Sequence, residues 1–106
     1  MKKALIIAAL LWSLPLLAQS NTGELRLTVT DPAGLGLKNT VELVSQGNEY
    51  RRTFSTDDQG NLDAKRLPYG IYQVLIRVQG FAEVAESVEI RSAIPLDRAI
   101  RLKVAT

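Results

Sequence analysis

A chain of 106 residues with a formal net charge of +2 has room for one domain. Lys2 and Lys3 carry that charge, and the other 11 basic residues balance the 11 acidic ones, which excludes the basic stripe that nucleic-acid binding needs. The chain contains no His and no Cys, so Ser-His-Asp and Cys-His nucleophile sites and the usual His/Cys zinc sites cannot be assembled, and no disulfide can staple the core.

Residues 1–20 read as a secretory signal: Lys2 and Lys3, then an apolar run from Ala4 to Trp12 that Leu14, Leu16 and Leu17 continue, then the small residues Ala18 and Ser20. Ser13 and Pro15 interrupt the run and make it short for a bilayer span of about 20 residues. Cleavage after Ala18 and after Ser20 both fit, and without Cys no lipid can be attached at a mature N-terminal cysteine. The expectation is an exported domain over residues 21–106 with no membrane span in the mature chain.

Glu24 to Thr30 alternates with period two, Leu25, Leu27 and Val29 on one side, as a half-buried strand does. Asp31-Pro32-Ala33-Gly34 ends it with turn chemistry. Thr40 to Ser45 is a second strand with Val41 and Leu43 on one face. Gln46-Gly47-Asn48 turns the chain into a third strand, Glu49 to Ser55, with Tyr50 and Phe54 inward. The cluster Thr56 to Asn61 is another turn, with Gly60 expected at positive φ, and a short strand follows around Leu62. Pro68-Tyr69-Gly70 turns again, and Ile71 to Gln79 is apolar on both faces, as the central strand of a sheet is. Val84 to Ile90 is a sixth strand in which Glu86 falls in phase with Val88 and Ile90, read as a bulge or a short interruption. Arg98 to Val104 closes the series with Ile100, Leu102 and Val104 inward.

Seven strand segments separated by turn signals every 8–12 residues or so indicate an all-β, seven-strand Greek-key β-sandwich. The expected core is Leu25, Leu27, Val29, Val41, Leu43, Phe54, Leu62, Leu67, Tyr72, Val74, Ile76, Phe81, Val88, Ile90, Ile100 and Leu102.

Several of these stretches line up in order: Gly23 to Asp31 with Gly34 behind it, Val41-Glu42-Leu43-Val44, Thr56-Asp57-Asp58-Gln59-Gly60-Asn61-Leu62, Leu67-Pro68-Tyr69-Gly70-Ile71-Tyr72, and Gly80-Phe81. Together they resemble the carboxypeptidase regulatory-like domain, a transthyretin-like (prealbumin-like) β-sandwich, over about Gly23 to Val104. Lys38-Asn39-Thr40 departs from the family's Pro/Ala-rich segment before the second strand. The resemblance implies an accessory role without protease residues. Similar bacterial domains precede the plug of outer-membrane TonB-dependent receptors or occur in adhesins and small secreted proteins. It therefore implies the periplasm or surface of a Gram-negative envelope and another envelope protein as partner. The chain stops where the domain stops, which leaves a free-standing protein and a truncated receptor as alternatives.

Four oxygen-bearing side chains, Asp57, Asp58, Asn61 and Asp63, share one loop and are candidate Ca²⁺ ligands, although Gly60 comes too early for an EF-hand. The competing reading is a hairpin turn in which the Asp and Asn side chains bond backbone N–H groups. The same carboxylates lie on a solvated turn, without the burial that would set an acid/base pair apart. Tyr69, with Tyr50 and Phe81, is the candidate for stacking on carbohydrate, Tyr69 being the one expected at the surface. Arg51-Arg52, Lys65-Arg66 and Arg101 with Lys103 could form a basic docking surface and Glu83, Glu86 and Glu89 an acidic one; the competing reading is solvated strand faces. No catalytic constellation and no cofactor motif is present.

Overall fold

The computed structural model describes residues 21–106, so the signal read in residues 1–20 lies outside the described residues. Among the described residues no helix is long and apolar enough to cross a membrane. Seven strands form: β1 Thr22–Thr30, β2 Thr40–Ser45, β3 Tyr50–Ser55, β4 Asn61–Pro68, β5 Gly70–Ile76, β6 Val84–Ile90 and β7 Leu96–Arg101. They make two sheets, one ordered β4-β1-β7 and the other β3-β2-β5-β6. β1 runs parallel to β7, and every other pairing is antiparallel. The chain changes sheet between β1 and β2, β3 and β4, β4 and β5, and β6 and β7, which is the sandwich expected from the sequence.

Period-two patterning decides what the sandwich encloses. Leu25, Leu27 and Val29 of β1 meet Val41 and Leu43 of β2 and Tyr72, Val74 and Ile76 of β5 in one buried cluster. Two turns fix its ends. The Tyr72 hydroxyl donates to the Pro68 carbonyl at 2.6 Å, and its ring lies edge-on to Tyr50 at 5.5 Å between centroids. Burial pushes the Tyr72 phenol above its ordinary pKa. At the other end the buried Thr56 hydroxyl accepts from the Asn39 N–H at 2.7 Å and lies within hydrogen-bond reach of the Leu37 carbonyl at 3.0 Å.

Several expectations need correction. Phe54 and Phe81 are half-buried and pack against the core from its margin, because β3 is an edge strand and Phe81 lies between β5 and β6. Val104 is 64% exposed: β7 ends at Arg101, and Val104 makes a lone bridge with Phe81 beyond it. The strand near Leu62 is not short. It is the eight-residue β4, with Ala64 fully buried and Arg66 at φ 58, where three steps of β4 from Ala64 to Leu67 span two of β1 from Gly23 to Leu25. β6 carries no bulge at Glu86. The strand pairs with β5 without a register shift, and the inward-phased Glu86 is tolerated because β6 is an edge strand on the open flank. β5 is interior in its sheet as expected, yet Ile71 on its outward side is 64% exposed, because nothing among the described residues covers that face.

Candidate functional site

The loop from Asp57 to Asp63 is built as a turn. One oxygen of Asp57, Oδ1, accepts from the Gln59 N–H at 2.9 Å and the Asn61 N–H at 2.8 Å. The Asp57 carbonyl accepts from the Gly60 N–H at 3.0 Å, and Gly60 has φ 80, as its place in the turn requires. The loop is then tied to β1, because the Val29 N–H donates to the Gly60 carbonyl at 2.8 Å. A second turn repeats the chemistry: Asp31 Oδ1 accepts from the Ala33 and Leu35 N–H groups at 2.9 Å each.

The four candidate Ca²⁺ ligands do not share one centre. Asn61 Oδ1 accepts from the Thr28 hydroxyl at 2.9 Å, Asp58 faces solvent, and Asp63 stands on β4 opposite Arg26 of β1. Arg26, exposed, is paired with Glu24 at 2.8 Å, which raises its pKa first of all, with Asp63 and Asp97 adding smaller contributions. Among the described residues no group of three His, Cys, Asp or Glu side chains is placed to hold a metal.

Tyr69 occupies the turn between β4 and β5 and is 37% exposed. Its carbonyl accepts from Asn48 Nδ2 at 3.1 Å, which locks the β2–β3 turn to the β4–β5 turn. Gly70 between them leaves the room, since a Cβ there would stand 2.6 Å from Asn48 Nδ2. A shallow depression lined by Ser45, Gly47, Asn48, Tyr69, Gly70 and Ile71 results. Tyr50 and Phe81, the other aromatics of the candidate platform, are half-buried and pack against the core, so the structure does not bring them to Tyr69 as one stacking surface.

Ile71 continues the depression onto the outer face of the four-stranded sheet. A second depression joins it there, lined by Val44, Gln46, Gly47, Ile71 and Gln73, and a third lies further along β2 and β5 between Thr40, Glu42, Thr53, Leu75 and Arg77. This face is a mixed, nearly flat surface: apolar Val44, Ile71 and Leu75 stand among amides and one ion pair, Arg51–Glu42 at 2.8 Å. Sequence reasoning missed Val44 and Asn48. The outward phase of Val44, set by Val41 and Leu43, would have revealed the first; nothing local marks Asn48 as the tie between two turns.

Of the charged groups singled out in the sequence, Arg51 and Arg52 lie on edge strand β3 and Glu86 and Glu89 on edge strand β6. Lys65 and Arg66 lie on β4, at the edge of the other sheet, and Arg101 ends β7 with Lys103 beyond it, so the basic residues do not gather on one surface.

No protein-family model matches the chain, and no curated protein matches it. Solved structures do. The minor pilin GBS52 of Streptococcus agalactiae superposes with a TM-score of 0.69 at 18% identity, over 81% of this chain and 46% of the pilin. The TIE protein of Bacillus anthracis gives 0.69 at 18% identity, over 80% of this chain and 17% of that protein. Catechol 1,2-dioxygenase from Pseudomonas arvilla gives 0.66 at 14% identity, over 87% and 55%. The chain spans about half the length of the pilin and the dioxygenase and a smaller share of the TIE protein. These likenesses define the class, a prealbumin-like β-sandwich, and the same sandwich serves pilins and an enzyme alike.

Proposed function

We propose that this chain is an exported, non-catalytic β-sandwich module of the bacterial envelope, residues 1–20 being a cleaved signal, and that it docks another envelope protein through the outer face of its four-stranded sheet. The observation that carries the reading is the uncovered outer face of the interior strand β5, where Ile71 is 64% exposed beside Tyr69. An apolar side chain held on a rigid strand among small polar neighbours suits a protein contact. The absence of His and Cys removes the commonest routes to catalysis. The pilin likenesses support a protein-contact role, and the resemblance to carboxypeptidase regulatory-like domains supports a setting beside a TonB-dependent receptor, as its N-terminal accessory domain or as a free periplasmic protein.

A pull-down tests this. Tagged protein starting at Asn21 is incubated with envelope extract of its own organism, with and without EGTA, beside an Ile71→Lys variant. The expected result is a specific envelope protein retained by the first and lost by the second. Equal capture by both variants refutes the assigned face.

A second reading rests on Tyr69 and Asn48 at one depression: a ring and an amide suit a sugar. Glycan recovered on the wild type and lost with Tyr69→Ala favours it. Binding that EGTA abolishes instead turns attention to Asp57, Asp58, Asn61 and Asp63 as a Ca²⁺ loop.

A further inference from the structure

The two edges of the four-stranded sheet carry opposite charge. β3, Tyr50–Ser55, has Arg51 and Arg52 and no acidic residue, whereas β6, Val84–Ile90, has Glu86 and Glu89 and no basic one. The edges of the other sheet are mixed, with Asp63, Lys65 and Arg66 on β4 and Asp97, Arg98 and Arg101 on β7. Charges that merely guard a sheet edge need no such segregation by sign.

Of the four charges on β3 and β6, two lack an ionic partner among the described residues, as the charges on β4 and β7 also do. Arg51 is paired with Glu42 and Glu89 with Arg91, each within the chain. Among the described residues neither Arg52 nor Glu86 forms an ion pair, and the Arg52 guanidinium lies over the Phe54 ring at 5.4 Å from its centroid. Both stand in phase with core residues, Arg52 opposite Leu43 and Glu86 opposite Val74, so both project from the inward side of their edge strands.

We infer that a second copy of this chain pairs with the first head to tail, edge strand β3 of one against edge strand β6 of the next. The topology permits it without reversal. The order β3-β2-β5-β6 is antiparallel throughout, so β3 and β6 run in opposite directions, and a copy carried sideways continues the alternation. With Arg52 opposite Glu86, every inward position meets an inward position: Tyr50 meets Val88 and Phe54 meets Val84. Like edges repel, because β3 against β3 sets Arg beside Arg and β6 against β6 sets Glu beside Glu. The contact is therefore heterologous and leaves one free edge of each sign to add further copies.

This goes beyond the docking role proposed above and uses a different surface. Pure protein tests self-association, whereas envelope extract and Ile71→Lys test the outer face, so either can fail alone. In sedimentation velocity at low ionic strength, the processed chain should show a sedimentation coefficient that rises with concentration and falls with added salt. Arg52→Glu puts a carboxylate on the inward side of both edges, and Glu86→Arg puts a guanidinium on the inward side of both. Each variant alone should associate at least tenfold more weakly, and an equimolar mixture should recover the association. The chain has no native Cys, so Thr53→Cys in one copy and Ala85→Cys in another should be joined by a short bis-maleimide, with neither joined to its own kind. Circular dichroism melts of each variant serve as the folding control. A concentration-independent monomer at low salt, a mixture no more associated than its parts, or absence of the mixed cross-link overturns the pairing.

Discussion

At Gly60 a single added methyl group meets two penalties at once. Gly60 has φ 80, and a Cβ built there meets the Val29 carbonyl oxygen in hard overlap, with the Leu37 amide nitrogen 2.9 Å away. Two penalties follow for Gly60→Ala. The left-handed backbone costs an Ala about 1 kcal/mol. The collision must also be relieved, and the atoms to be moved make the Val29 N–H to Gly60 C=O bond at 2.8 Å and the Leu37 N–H to Val29 C=O bond at 3.0 Å. Weakening both adds about 2 kcal/mol, for a total of about 3 kcal/mol. Gly80 supplies the control, because it has φ 89 and nothing within 4 Å of the added Cβ. Gly80→Ala therefore isolates the backbone term of about 1 kcal/mol.

For a domain of this size 1 kcal/mol moves the melting temperature by roughly 4–8 °C. Thermal unfolding followed by far-ultraviolet circular dichroism should place Gly80→Ala one such step below the wild type and Gly60→Ala two to three steps below. Stability of a small domain is about 5–15 kcal/mol in all, so the second variant should stay folded at low temperature. Equal melting temperatures for the two variants would refute the argument that the Thr56–Asn61 turn is wedged against β1.

Two further outcomes follow from the same packing. Tyr72→Phe removes the donor to the Pro68 carbonyl and should cost about 1 kcal/mol in urea unfolding. Because burial raises the Tyr72 pKa, the folded state holds that proton after the unfolded state has lost it; stability is whole below about pH 10, declines above it, and should decline less steeply in the Phe variant. Asp57→Ala deletes the acceptor of two backbone N–H groups and should cost about 1–2 kcal/mol, whereas Asp58→Ala, on solvent, should stay within about 0.5 kcal/mol of the wild type. Melting the wild type and both variants with and without calcium checks this, and a calcium-dependent rise abolished by Asp58→Ala would transfer the loop from turn to ligand site.

The strand phase is clearest in the sequence where the inward positions are all large and apolar. β1 is the clearest case, with Leu25, Leu27 and Val29 fixing its phase. β4 is harder to read beyond Leu62 because its middle inward position is the small Ala64 and its phase then slips at Lys65 and Arg66, the latter at φ 58. Pattern reading has no means of seeing a positive φ at an Arg. At Glu86 the reverse occurred. The phase was continuous and the charge suggested a break, but an edge strand has an inward side that is open to solvent at the flank. Thr56 lay beyond reach for another reason: its burial depends on the β1–β2 crossover folding over it, a contact with Leu37 and Asn39 at a separation of 19 and 17 residues.

The candidate sites divide along the same physical line. Loop carboxylates announce themselves in a sequence because Asp, Asn and Gly cluster there, yet Oδ1 of Asp57 is already engaged by two N–H groups of its own turn. The turn needs it for the same reason a cation would. By contrast, the outer row of β5 looked like a buried strand, since apolar residues on both faces usually mean layers on both sides. A sandwich of two sheets has one interior. Among the described residues no layer packs on the outer face that holds Ile71 and Leu75, and a rigid strand can present them without the ordering cost that a loop would incur on binding. The lateral edges obey a different constraint. They expose unpaired backbone groups irrespective of side chain, and their charges decide which strand can satisfy them. The outer face and the two edges thus answer to separable substitutions, Ile71 for the one and Arg52 with Glu86 for the other, on a scaffold whose turn at Thr56–Asn61 remains untouched by either.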